Sequence, residues 1–227
     1  MDLPGQDPDE LAECLDDLGR ANRLTGGVFL TTWALGRLTS GLPAGSKLSI
    51  LDLATGGADF PRAIAAWARR RGLKPHVLAT DASPEILGFA SSRGDGIGVK
   101  YAVADARALP HEDGSFDVAT CSLFLHHLET DEAVRVLTEM SRVSRRGIIV
   151  NDLVRSWVGY WGTRIFTRVS SKNRLFRNDG PLSVLRAYTR DEMAILAARA
   201  GLGPVRFHGI PGYRVAMSAS RFEGGSP

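Results

Sequence analysis

Acids stand at or beside the ends of three short apolar runs: Asp52 in Leu48–Leu53, Asp81 after Pro75–Thr80, and Asp105 after Val99–Ala104. Asp52 and a fourth acid, Asp59, bracket a turn of small residues, Ala54-Thr55-Gly56-Gly57-Ala58. Such a turn lets backbone approach a ligand closely. A diphosphate would want bare amides there, whereas two carboxylates favour a cation, such as a nucleoside carrying an ammonium or sulfonium group. Asp81 ends the second run, where doubly wound folds keep an acid for ribose hydroxyls. Its neighbour Ala82 belongs to the same turn. Asp105 can accept from an adenine amino group while Ala106 offers a backbone N–H. His126 and His127 follow a fourth apolar run, Phe116–Cys121. Neutral imidazole is the usual side chain for taking a proton near pH 7. Adjacent residues point in different directions, so one faces an acceptor and the other is structural. Each acid also has a plain structural reading, as helix cap or turn residue. Three acids at successive strand ends argue together more strongly than any one alone.

The elements that must position these groups alternate along the chain. Leu48–Leu53 reads as a strand buried on both faces, and Phe60–Arg71 as a helix with Pro61 in its first turn and Gly72 as its stop. Strands follow at 75–80, 99–104, 116–121 and 147–151. Helices open at Ser83-Pro84, run over 131–143, and start again at the capping box Thr189-Arg-Asp-Glu192. The runs 205–208 and 214–218 read as a closing antiparallel pair. Ahead of the first strand, 9–18 and 28–38 have helical spacing, so residues 1–45 form an N-terminal helical cap. Residues 1–8 and the tail 220–227 read as disordered. The expectation is an α/β, doubly wound (Rossmann-like), mostly parallel seven-stranded sheet with an antiparallel last strand, plus a helical lid, over residues 46–219.

One segment, 152–188, breaks the rhythm. Its apolar residues at 157, 161, 165 and 169 share a helix face, and from Arg155 to Arg190 there are eight basic residues and one acid, Asp179. It follows a strand whose carboxyl end faces the cleft, so it is expected to cover a substrate. Trp157, Tyr160 and Trp161 would wall the site, with Arg155 or Arg186 as polar anchors. The competing reading is a membrane-surface helix burying Trp157, Trp161 and Phe166.

Composition bounds the rest. The 227 residues are 44% hydrophobic and 23% charged, enough for a sizeable core, and a net charge of +3 is too small to argue for nucleic acid. Cys14 and Cys121 are the only cysteines, which points to reduced thiols and a cytoplasmic setting. His76, His111 and His208 show no metal-ligand spacing, so no metal is expected. No apolar run approaches the ~18 residues of a membrane span.

Leu-Asp-Leu-Ala-Thr-Gly-Gly-Ala-Asp59, Ala-Thr-Asp-Ala-Ser-Pro84, Val-Ala-Asp-Ala106 and Phe-Asp-Val-Ala…Leu-His-His-Leu128 together resemble class I S-adenosylmethionine-dependent methyltransferases. The likeness is to the ubiquinone/menaquinone-biosynthesis type and to relatives found beside polyketide synthases. It covers residues 48–151, and Asp179-Gly-Pro-Leu-Ser-Val-Leu-Arg-Ala-Tyr188 is similar to the polyketide-associated relatives. It implies S-adenosyl-L-methionine as cofactor, with residues 52–59 at its methionine portion, Asp81 at the ribose and Asp105-Ala106 at the adenine. Ala54 and Ala58 stand where the family loop has its first and last glycines. The implied activity is methylation of an oxygen or carbon on a small aromatic, quinone or polyketide-like acceptor, in secondary metabolism. Oligomeric state is left open. Two rivals stand beside it. An NAD(P)-dependent reductase lacks its glycine pattern here, and no tyrosine precedes a lysine by four residues. A methyltransferase-like protein that binds a partner without catalysis draws some support from Ala58 and from the basic insertion.

Overall fold

The run Leu48–Leu53 becomes the middle of the sheet. In the computed structural model, which describes residues 7–94 and 97–221, it forms strand β1 (Lys47–Leu53). β1 pairs in parallel with β2 (Lys74–Asp81) on one side and β4 (Phe116–Ser122) on the other. β3 (Val99–Val103) lies outside β2, and β5 (Ser144–Leu153) outside β4. β7 (Arg214–Ser220) runs antiparallel to β5, and β6 (Val205–Ile210) closes the edge antiparallel to β7. The order β3-β2-β1-β4-β5-β7-β6 is the expected mostly parallel sheet, and β7 is its one reversed strand among the described residues.

A parallel strand covered on both faces must be apolar on both, and Leu48, Ile50, Leu51 and Leu53 are all fully buried. On one face Leu51, Leu53, Ile148 and Val150 meet Val136, Leu137 and Met140 of α5 (Thr130–Val143) and Met193 and Leu196 of α8 (Arg190–Arg199). On the other face Leu48, Ile50, Val118 and Ile149 meet Ala34 and Leu35 of α2 (Gly27–Leu38) and Ile64 and Ala68 of α3 (Asp59–Arg70). α4 (Pro84–Ser92) packs beside β2 and β3, capped by Ser83 as its sequence predicts. Gly147 allows β5 and β7 to approach, since a Cβ there would lie 2.1 Å from the Ala219 carbonyl oxygen.

The structure differs from the expected elements in four places. Helix α1 (Pro8–Leu24) runs past residue 18 through Gly19, because Ala21 packs inward and Asn22 is bonded to other elements. It also starts earlier than expected: Asp7 caps it and Pro8 fills its first turn, while residues 1–6 lie outside those described. β5 extends to Leu153 because Asn151 and Asp152 pair with Ala216 and Val215 of β7, so Asp152 belongs to the sheet and not to the insertion. Ser220 is in β7 and the Arg221 amide donates to the Arg146 carbonyl, which removes both from the expected loose tail; 222–227 lie outside the described residues. The insertion itself is two helices, α6 (Trp157–Ser170) and α7 (Arg174–Arg186). They pack closely because Gly180 lacks a Cβ, which would sit 2.9 Å from the Thr167 methyl group.

Candidate functional site

The loop between β1 and α3 turns on three left-handed residues, Ala54 (φ 50°), Gly56 (φ 53°) and Ala58 (φ 56°). The two alanines hold a conformation that glycine adopts without penalty and that costs other residues about 1–2 kcal/mol each. What fixes the loop is Asp52. Its two oxygens accept from Thr55 Oγ1 at 2.8 Å and Thr120 Oγ1 at 2.6 Å, and it is buried. Burial pushes its carboxyl up to about 7, the two hydroxyls pulling back and the Asp59 and Asp81 charges adding to the rise. Thr55 is buried, and its amide donates to the Thr80 carbonyl. Asp52 therefore ties β1, β4 and the loop together, and its charge acts on a ligand through the field.

Asp81 ends β2 between two amides: Gly56 N donates to Oδ2 and Ser83 N to Oδ1, both at 3.1 Å. It remains partly exposed, and Ala82 beside it is exposed. Asp105 lies beyond β3, where Arg107 donates to it from both its amide and its guanidinium and holds its carboxyl below the usual range. Ala106 is buried beneath. Asp59 opens α3 and accepts from Asn22 Nδ2 at 3.0 Å; burial raises its carboxyl against the pull of Asn22, Arg214 and Arg62. Helix α1 lies over this loop. A Cβ on Gly57 would touch Leu15 Cβ and Phe89 Cε1, each at 3.6 Å. Asp16 of α1 is ion-paired with Arg93, just past α4. The N-terminal helix thus roofs the loop that the acids surround.

A cavity opens from the ends of β4, β5 and β7 toward α1, α6 and α7. Leu18, Leu123, Leu153, Phe166 and Phe176 give it apolar walls, and His126, His127 and Arg214 supply its polar groups from the sheet side. Its volume is about 100 Å³, several times the ~10–15 Å³ one water needs. His126 and His127 sit in a short turn of helix, Leu125–His127, and their rings lie 4.1 Å apart. Tyr188 fixes this turn by donating to the Leu128 carbonyl at 2.7 Å.

His126 has a buried partner. Its Nδ1 lies 2.6 Å from Asp152 Oδ1, and its amide donates to Asp152 Oδ2 at 3.2 Å. Burial acts to raise the Asp152 carboxyl, but attraction to His126 and the bonds from it and from the Leu153 amide prevail, holding it low. An ionised carboxylate only accepts, so Nδ1 carries a hydrogen, and in the neutral ring Nε2 has the lone pair. This arrangement can take a proton from something in the cavity.

Arg214 was not legible as a site residue, and neither was Asp152. Arg214 is fully buried; its Nε donates to Asn151 Oδ1 and its Nη1 to Asn22 Oδ1, both at 2.7 Å. Its Nη2 is buried without a partner among the described residues, as is Thr163 Oγ1 on the cavity's lid side. Burial lowers the guanidinium's proton affinity. Asn22 bonds both Asp59 and Arg214, so the loop and the cavity share a wall.

The residues expected to hold an acceptor do not line this cavity. Trp157 and Trp161 are 73% and 55% exposed. Tyr160 packs against Leu153, Val184 and Ala187 and is not among the cavity's lining residues. Arg155 bridges the Ala187 carbonyl and Glu192, and Arg186 is exposed. The physical reason is the phase of α6, which turns Thr163, Phe166 and Thr167 to the cavity instead. The stretch 179–188 does contribute, through Asp179, Gly180 and Ser183 on the wall and Tyr188 behind the histidines. Cys14 also lines the cavity, its thiol pushed up to about 12 by burial and nearby acids.

Known proteins share this arrangement of strands and sequence. A family model described as a methyltransferase domain matches residues 50–147. A ubiquinone/menaquinone biosynthesis C-methyltransferase of Chromobacterium violaceum is 28% identical over 192 residues, spanning 79% of this chain and 76% of its own length. The crystal structure of a SAM-dependent methyltransferase from Aquifex aeolicus matches with a TM-score of 0.64 at 17% identity, over 95% of this chain and 99% of the other. The CMeT domain of the citrinin polyketide synthase matches with a TM-score of 0.65 at 16% identity, over 85% of this chain and 51% of that one. At such identities the two structures speak to the fold alone.

Proposed function

We propose that this chain, which is similar to S-adenosylmethionine-dependent methyltransferases in sequence and fold, methylates an oxygen or carbon of a small aromatic or polyketide-like acceptor bound in the cavity beside His126. The observation that carries the reading is the buried Asp152–His126 pair on the wall of a cavity whose Asn22 also bonds Asp59 of the β1–α3 loop. The donor set suits the cofactor: Asp81 offers a partly exposed carboxylate for ribose hydroxyls, Asp105 and Ala106 an acceptor and an amide for adenine, and residues 54–57 a turn of small side chains for the methionine portion. Asp52 and Asp59 add a field that favours a cation. When bound, the cofactor supplies an electrophilic methyl group on a sulfonium.

The protein's own part is alignment and proton removal. Apolar walls exclude water and favour a flat acceptor. Arg214 Nη2 and Thr163 Oγ1, each buried without a partner among the described residues on the cavity's wall, would bond two oxygens of that acceptor, one of them bearing negative charge. His126 Nε2 takes the proton as the nucleophile forms, and Asp152 steadies the imidazolium that results.

The test is release of S-adenosylhomocysteine with a panel of hydroxylated aromatics. His126→Ala should lower turnover by about 10²–10⁴-fold while cofactor affinity, read by calorimetry, stays near wild type. Full activity in that variant removes the base, and no heat with the cofactor at millimolar concentration removes the enzyme.

A further inference from the structure

Helix α6 turns its largest apolar side chains to solvent. Trp157 is 73% exposed, Val158 80%, Trp161 55%, Ile165 62% and Val169 83%. At about 100° per residue these five fall within one arc of about 120°. One edge of the arc is basic. Arg164, Arg168, Lys172, Arg174 and Arg177 surround a shallow depression with Tyr160 and Asn178. Arg174 pairs with Glu10, and Arg177 donates to the Ser171 and Arg168 carbonyls. Arg164, Arg168 and Lys172 have no carboxylate partner among the described residues, and Arg164 lies over the Trp161 ring at 5.8 Å.

The opposite edge of the arc is a groove. Val158, Gly159, Gly162, Thr163 and Phe166 form one side, with Ile210, Pro211 and Tyr213 across from them. Thr163, Phe166 and Tyr213 also line the cavity that holds His126. The exposed row meets the groove at Val158, the groove and the cavity share a wall, and no other element comes within 4 Å of the place a Cβ on Gly162 would take.

We propose that this face of α6 docks on an anionic membrane surface, and that the groove admits the apolar tail of an acceptor drawn from that surface. Charge complementarity selects the occupant. An apolar row with two tryptophans, edged by cations free of carboxylates, matches an interface where acyl chains lie beneath anionic headgroups. The helix lies in the plane of that interface, with Arg and Lys reaching the headgroups while their stems stay among the apolar side chains. The docking stands on the surface alone, and the passage of a tail rests on the methyl transfer proposed above.

The experiment uses the full chain and vesicles of phosphatidylcholine with or without phosphatidylglycerol. Cosedimentation is expected with the anionic vesicles only, and it should weaken as salt is added. Trp157→Ala/Trp161→Ala and Arg164→Glu/Arg168→Glu should each lower vesicle affinity by about tenfold or more. S-Adenosylhomocysteine affinity should be unchanged in both. Gly162→Trp, built into open space, should keep vesicle binding but lose affinity for 4-nonylphenol relative to 4-methylphenol. No binding to anionic vesicles, or binding that ignores both double variants, overturns the docking. Self-association that the tryptophan variant abolishes, seen by sedimentation velocity without vesicle binding, assigns the face to a second copy and overturns it equally. If Gly162→Trp leaves the two phenols' affinities unchanged, the tail passage falls. Vesicle binding without any S-adenosylhomocysteine binding would instead refute the methyltransferase reading and leave the docking intact.

Discussion

Replacing Asp52 by asparagine should stabilise the protein at alkaline pH. Burial moves the Asp52 carboxyl from 3.8 to about 7, with smaller contributions from the Asp59 and Asp81 charges. The unfolded chain releases this proton near pH 4, whereas the folded protein holds it until near pH 7. Between those values the folded state binds more protons, so stability falls as pH rises. A shift of about three units at ~1.4 kcal/mol each makes the loss about 4 kcal/mol once the pH exceeds 8. Asparagine is neutral throughout and can keep bonds to Thr55 and Thr120. Asp52→Asn should therefore match wild type near pH 4 and exceed it at pH 8 by about 2–4 kcal/mol, or roughly 4–16 °C in Tm. Urea unfolding at pH 4, 6, 7 and 8 measures both curves. Asp59 contributes a slope of the same sign to both proteins, so the difference between them reports Asp52 together with its coupling to Asp59. A variant destabilised equally at every pH would refute the reasoning, as would a difference that shrinks toward pH 8. The same linkage reaches the ligand. A bound sulfonium favours the ionised carboxyl, so S-adenosylmethionine affinity should rise from pH 6 to 8 in wild type, while that of S-adenosylhomocysteine stays nearly flat.

Three further outcomes follow from the geometry. Asp152→Asn should keep the fold yet cut turnover by about 10²–10⁴-fold, because His126 loses the charge that fixes its tautomer; steady-state kinetics with unchanged cofactor affinity checks it. Gly27→Ala places a Cβ 2.4 Å from Arg214 Cζ, displacing the guanidinium from the cavity wall. Activity should fall by more than about tenfold with a stability loss of only about 1–3 kcal/mol, so a fully active variant would separate Arg214 from the site. Ala58→Gly should relieve a left-handed alanine whose φ is 56°. After glycine's own entropy loss it should gain up to about 1 kcal/mol, which thermal unfolding would show as a higher Tm.

Local patterns decided much of this protein. Leu48–Leu53 had to be a central strand because residues apolar on both faces of a strand need cover on both. Ser83-Pro84 and Thr189…Glu192 had to begin helices because their side chains satisfy amides that have no other partner. The order of strand-end acids, small-residue turn and paired histidines was sufficient to indicate the fold and the methyltransferase resemblance, since each of those signals lies within a few residues of chain. The partners of those groups lie far off in sequence. Asp152 looked like the start of an insertion and became a buried sheet residue only when β7 paired with β5. It lies 26 positions from His126. Arg214 read only as the first residue of a closing strand, and its guanidinium is bonded to Asn22, 192 positions away. The direction of α6 was the hardest to read. Trp157 and Trp161 have the composition of a pocket wall, and the helical period fixes which residues share their face but not which way that face points. That choice was made by Gly180, whose missing Cβ seats Thr163 and Thr167 inward against α7, so the tryptophans look outward. Spacing along the chain determined the chemistry available, and packing between distant segments determined which groups share a cavity, because side-chain direction is settled by what covers a face.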